Sequence, residues 1–284
     1  MGERIVAVLG VGIVDQDVPV VHADDLGFTR GDGCFEGMRI VTNPAGVSAV
    51  DKPDAHLARM ALSAAALGIE FDAPAWRALI DHAAAAWTKP GEAGLRLLLT
   101  RGRTPAGPPF GALTIEAIPA AYAGMRDEGV SAVTLARGTT VDAFADTPWL
   151  LGGVKTISYA INMAAQREAV RRGADDAIFI SADGWVLEAP TGSVVWAEGR
   201  TLCTTPLGPS GILAGTTQQR LFHRAADAGW ATATRPLRAA ALSGVEALWL
   251  ASSVRGPVEV VELDGEKRPP VTELTREIQH LAGF

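Results

Sequence analysis

Short apolar stretches bounded by turn residues recur along the first half of the chain. Residues 3–9, 35–41, 94–100, 111–118 and 130–135 are rich in Val, Ile and Leu, a pattern that predicts strands. Two longer segments repeat their apolar positions at helical spacing. HLARMALSAAALG (56–68) and APAWRALIDHAAAAW (73–87) are expected to form helices, the first stopped by its terminal glycine. Strands and helices fall in separate runs, so residues 1–119 predict an α+β domain. Residues 120–129, within PAAYAGMRDEG, are expected to be an interdomain linker, and residues 130–284 a second domain.

In the second half, Ile157, Ala160, Ile161 and Ala164 predict a helix with Asn162 and Gln166 on its other side. AIFISADGWVLEA (177–189) reads as a hairpin turning at Asp183-Gly184, and VVWAEGRTLCT as another turning at Glu198-Gly199. Thr216 opens a helix and has Gln219 three residues on, which is the form of a capping box. RGTTVDAFADTPWLLGG (137–153) has little regular pattern and is a candidate lid. No internal repeat or low-complexity tract is present.

A length of 284 residues with 48% hydrophobic content fits two modest globular domains or one large one. No apolar run approaches the length needed to span a bilayer. The opening MGERIVAVLGVGIVD carries early charges and interrupting glycines, which predicts a strand pair rather than a signal peptide, and a cytoplasmic protein. Cys34 and Cys203 make no metal spacing and are expected to be reduced thiols. The formal charge of −7 comes without a basic block, which argues against nucleic acid and anionic membranes as partners and for a small-molecule substrate.

The 25 basic residues include only four lysines. Lys52, Lys89 and Lys267 lie in turn-like surroundings, whereas Lys155 sits among apolar neighbours in GGVKTISYAINM. Burying an ammonium is costly unless it is paired, exposed by the fold or shifted toward neutrality for chemistry. A nucleophilic amine must fall well below the usual lysine pKa of about 10.4, and Schiff-base formation meets that need. Gly215 followed by Thr216 and Thr217 would present backbone N–H groups to an anion such as phosphate. Glu188 lies on the second strand of the 177–189 hairpin. Taken singly, these features read as a solvated lysine, a helix cap and a surface carboxylate. Dinucleotide, Walker and Gly-x-Ser-x-Gly patterns are absent, and the five histidines form no local metal motif. Arg96 and Arg101 are candidates for substrate carboxylates. Their opposite parity on one strand predicts opposite faces, with Arg96 the favoured residue.

The ordered set says more than its parts. RGDGCFEGMRI (30–40), HLARM (56–60), KTISYAINM, DDAIFISADGWVLEAPTGSVVW and GILAGTTQQ follow one another as in the fold-type IV, or class IV aminotransferase-like, pyridoxal-phosphate enzymes, and the resemblance covers nearly the whole chain. It implies a two-domain α+β fold with the cofactor between the domains, and a homodimer. By the same resemblance Lys155 carries pyridoxal 5'-phosphate as a Schiff base, and Glu188 contacts its pyridine nitrogen. Arg59, Thr216, Thr217 and Ser253 hold its phosphate, and Phe35 lies at the substrate. Thr147-Pro148-Trp149-Leu150-Leu151 and LEAPTGSVVW most resemble actinobacterial 4-amino-4-deoxychorismate lyases, which implies release of pyruvate and the folate precursor 4-aminobenzoate. The alternatives are a class IV transaminase acting on branched-chain or D-amino acids, and a non-catalytic binding protein on the same fold. The D-amino-acid transaminases typically have Tyr where Phe35 stands and an Arg-x-His pair that LRLLLTRGR lacks. RGRTPAGPPF departs from the extended Arg-Gly-rich stretch common in the lyases.

Overall fold

The computed structural model describes residues 4–284, so residue 3 of the first expected strand lies outside the described residues. The chain divides into two compact units. One runs to Pro119 and includes Val154–Tyr159; the other comprises Ala120–Gly153 and Ala160–Phe284.

In the first unit, β1 (Arg4–Val8), β2 (Gly12–Val14), α1 (Leu26–Arg30), β3 (Gly33–Thr42), β4 (Ser48–Val50), α2 (Pro53–Leu67), α3 (Ala73–Ala86), β5 (Gly91–Thr100) and β6 (Phe110–Ala117) follow in order. The strands form one antiparallel sheet in the order β2-β1-β6-β5-β3-β4. Alternation sorts its two faces. Met38 and Ile40 of β3, Leu95, Leu97 and Leu99 of β5, and Leu113 and Ile115 of β6 pack with Leu57, Met60, Trp76 and Ile80 of the two long helices. Each fully buried leucine or isoleucine there contributes about 1.5–3 kcal/mol by leaving water. Phe35, paired with Leu98, and Gly37, paired with Arg96, belong to the opposite face. Gly68, in the left-handed region at φ 64°, closes α2 as its sequence position predicts.

The second unit contains α4 (Ala121–Glu128), β7 (Val130–Ala136), α5 (Ala160–Arg171), β8 (Asp176–Ile180), β9 (Ser193–Glu198), β10 (Thr201–Thr204), α6 (Thr216–Asp227), β11 (Ala231–Thr234), β12 (Ala247–Ser252), β13 (Gly256–Leu263), β14 (Glu266–Lys267) and α7 (Thr272–Ala282). Its sheet runs β11-β10-β9-β12-β13-β7-β8, with β14 paired to β13. Central strands are buried on both faces. On β9, Val194 and Trp196 join one core while Val195 and Ala197 join another against α6 and α7, so VVWA reads as a continuous apolar run instead of alternating.

Two expectations about domain organisation need correction. Most of the linker expected at 120–129 is the helix α4, closed by Gly129, where φ is 80° and an added Cβ would lie 2.9 Å from the Glu259 carbonyl oxygen. Helix-forming residues outweighed the single interior Gly124. Lys155, expected in the C-terminal domain, packs with the first unit. Because β4 pairs only with Ile40–Thr42, the edge of β3 is open at Gly33–Phe35, and the 154–157 segment adds to it. Phe35 N–H donates to the Lys155 carbonyl at 3.0 Å, and Ile157 N–H to the Gly33 carbonyl at 3.0 Å. Both expected hairpins form, turning through Gly184 at φ 86° and Gly199 at φ 55°. Cys34 and Cys203 are free and buried. Among the described residues, no helix is long and apolar enough to cross a membrane.

Candidate active site

The RGDGCFEG stretch builds the platform for Lys155. Gly31 ends α1 in the left-handed region at φ 70°. Gly33 approaches β5 so closely that a Cβ would lie 2.4 Å from the Leu99 carbonyl oxygen. Beside these glycines Lys155 is fixed through its backbone, its N–H donating to Ser63 Oγ at 3.2 Å. Its Nζ lies 4.2 Å from the Phe35 ring centroid and 5.3 Å from that of Tyr159. The two rings meet edge to face at 5.1 Å and 86°. Aromatic faces at these distances attract an ammonium through the ring quadrupole. Tyr159 was not singled out from sequence, although an aromatic four residues after the lysine was the available signal.

Arg59 projects from α2 onto Glu36 of β3. Its Nε and one terminal nitrogen each reach a Glu36 carboxylate oxygen at 2.7 Å, and His56 Nδ1 is 2.7 Å from Oε2. Glu36 and His56 are fully buried. Burial opposes the Glu36 charge, but hydrogen bonds from Arg59 and His56 and the Arg59 charge bring its pKa down to about 2. Burial pushes the His56 pKa down, so a neutral ring donating Nδ1–H to the carboxylate is the consistent form. Burial also pushes the Cys34 thiol up to about 12, which leaves it inert.

The two substrate arginines separate as their parity predicts. Arg96 is exposed on β5, on the same sheet face as Phe35. Arg101 is committed elsewhere: it pairs with Asp32 through Nε and a terminal nitrogen, and donates to the Leu67 and Gly68 carbonyls at the end of α2. In this structure its donors serve the fold.

In the second unit, Glu188 lies half-buried on the second half of its hairpin, and Oε2 accepts the Leu213 N–H at 3.0 Å. Thr216 and Thr217 are the first residues of α6, with Gly215 as the N-cap. The expected capping box is therefore not formed, because Thr216 is already helical. Its hydroxyl meets Ser253 Oγ at 2.9 Å, and Thr217 Oγ1 donates to the same oxygen at 3.5 Å. A Cβ on Gly215 would lie 2.2 Å from Ser193 Oγ, which holds the helix start tight against β9. A helix N-terminus with three gathered hydroxyls is the donor set of a phosphate site. The loop before Lys155 is pinned by Phe144, which packs on Gly152 and Gly211, and by Gly153 N–H donating to the Gly211 carbonyl at 2.9 Å. Its Trp149 is 72% exposed. Among the described residues, no cluster of metal-ligating side chains is present.

A family model described as amino-transferase class IV matches residues 33–263. A relative from Mycobacterium tuberculosis named bifunctional aminodeoxychorismate lyase / D-amino acid transaminase is 39% identical, covering 96% of this chain and 97% of its own. Among solved structures, a hypothetical aminotransferase from M. tuberculosis in its PLP-bound form superposes with a TM-score of 0.91 at 38% identity, over 99% of this chain and 98% of that one. The fold IV-transaminase CpuTA1 from Curtobacterium pusillum gives a TM-score of 0.92 at 36% identity, over 99% of this chain and all of that one (100%).

Proposed function

The chain belongs to the class IV amino-transferase family, and from that premise we propose that it is a pyridoxal-phosphate-dependent 4-amino-4-deoxychorismate lyase, releasing pyruvate and 4-aminobenzoate for folate synthesis. The observation that carries this reading is the 39% identity, along almost the whole chain, to a protein named for that lyase activity. The residues fit the cofactor. The α6 start with its three hydroxyls suits the phosphate, and Lys155 lies on a rigid strand edge against two aromatic rings.

In this reading Lys155 Nζ is the atom that bonds the cofactor covalently. When bound, the cofactor supplies a ring that accepts electrons from the substrate carbon. The Glu188 carboxylate keeps a proton on the pyridine nitrogen, while Thr216, Thr217, Ser253 and Arg59 hold the phosphate. Arg96 orients a substrate carboxylate, and Phe35 and Tyr159 wall the reacting ring from water. When not bonded to the cofactor, Lys155 Nζ would remove the proton from the ring carbon bearing the substrate nitrogen and return it to the departing enolpyruvate. The carbon–oxygen bond to enolpyruvate breaks, the ring becomes aromatic, and no co-reactant is required.

A second reading is transamination, of D-amino acids as in the double name of the M. tuberculosis relative, or of branched-chain amino acids. The two differ in what Lys155 does with its proton. Supplied with aminodeoxychorismate and no keto acid, purified enzyme is expected to form 4-aminobenzoate and pyruvate with many turnovers. Neither product, together with rapid amino transfer to a keto acid, would assign the chain to transamination alone. Borohydride is expected to bleach the yellow protein and add the reduced cofactor's mass at Lys155; a label on any other lysine would defeat the site assignment.

A further inference from the structure

We propose that the buried Asp176–Arg255 ion pair is a positioning device for phosphate binding: it fixes the turn that presents Ser253 to Thr216 and Thr217. The inference rests on the cofactor reading above. Ser252 pairs with Gly256, so Ser253, Val254 and Arg255 form a three-residue loop between β12 and β13. Such a loop has few backbone bonds of its own to fix the direction of a side chain. This one is held at its C-terminal end by two adjacent residues. Gly256, in the left-handed region at φ 85°, lies against Phe284, whose ring a Cβ would meet at 2.8 Å. Arg255, 7% exposed, sends one terminal nitrogen 2.7 Å to Asp176 Oδ2 at the start of β8. Asp176 is fully buried, and its other oxygen accepts the Ala177 N–H at 2.8 Å.

A device built only for stability would look different. Apolar residues of similar volume commonly hold two elements together as well as a buried ion pair does. Here the arrangement also leaves Arg255 Nε buried without a hydrogen-bond partner, a cost that better packing would remove. What the pair adds is direction. A charge-assisted hydrogen bond to a carboxylate that is itself held by Ala177 N–H fixes the loop backbone two residues from Ser253. The pair is neutral overall, so its influence on a phosphate is geometric and passes through the Ser253 hydroxyl.

That route is open to a coupling measurement. Apo-protein is titrated with pyridoxal phosphate by visible absorbance, with inorganic phosphate as competitor, for wild type, R255M, S253A, S253A/R255M and D176N/R255M. R255M and S253A are each expected to weaken pyridoxal phosphate and inorganic phosphate about tenfold. The S253A/R255M protein is expected to bind within about twofold of S253A alone, because the two residues act through one contact. D176N/R255M leaves no unpaired buried charge, so it is expected to keep its melting temperature within about 5 °C of wild type while binding as weakly as R255M. The proposal is overturned if R255M leaves affinity unchanged, if it costs the same factor with and without Ser253, or if D176N/R255M binds like wild type. Wild-type protein that does not bind pyridoxal phosphate would instead sink the cofactor reading and the proposal with it.

Discussion

At the scale of single residues, the most consequential feature is the pairing of Arg59 with a carboxylate that never meets water. Three residues of the two early motifs, Glu36, His56 and Arg59, share one buried bonding pattern. HLARM and FEG are legible as motifs, but their partnership is not, because it depends on α2 lying across the Glu36 face of β3. Glu36 gives up its proton more readily folded than unfolded. Its stabilisation is therefore complete above the unfolded carboxylate pKa and is lost as pH falls toward its folded value of about 2. E36Q is expected to cost about 3 kcal/mol at neutral pH, since it leaves the Arg59 charge without its buried counterpart. In urea titrations the gap between E36Q and wild type is expected to narrow once pH drops below about 4. A gap that stays constant across that range would show that the Glu36 charge is not what stabilises the trio.

At the scale of elements, legibility follows how local the determinant is. The Asp183-Gly184 and Glu198-Gly199 hairpins were readable because two adjacent residues set each turn. The start of α6 at Thr216 is legible but its cap is not: Thr216 has the chemistry of a cap, but Gly215 takes the capping position and the threonine hydroxyl turns to Ser253, which no local spacing encodes. The strand edge that receives Lys155 depends on Gly33 in the same way. G33A would drive a methyl into the Leu99 carbonyl, so it is expected to destabilise the protein by about 1–3 kcal/mol and to reduce borohydride labelling at Lys155. Gly37, further along β3, is the internal comparison. Nothing lies within 4 Å of its added Cβ, so G37A is expected to change stability by no more than about 0.5 kcal/mol. Equal melting temperatures for G33A and wild type would remove the steric account of this motif.

At the scale of the whole chain, the sequence does not show that the chain returns to its first unit. The return of Val154–Tyr159 rests on backbone hydrogen bonds to Gly33 and Phe35, distant in sequence and silent in any periodicity. This threading has a mechanical consequence. A cut after Trp149, the exposed residue of the preceding loop, gives two pieces that each complete a unit of the other. The N-terminal piece keeps α4 and β7, and β7 lies in the sheet between β13 and β8 of the C-terminal piece. The C-terminal piece keeps the 154–157 segment bonded to β3 of the N-terminal piece. Brief chymotrypsin treatment, or expression of the chain as two pieces split at this point, is therefore expected to yield fragments that co-elute in native size exclusion and part only in denaturant. Borohydride applied before the cut is expected to leave its mass on the 150–284 fragment, which contains Lys155. Fragments that separate without denaturant would mean that the return of the chain to β3, and with it the rigid seat of the lysine, is too weak to organise the active site.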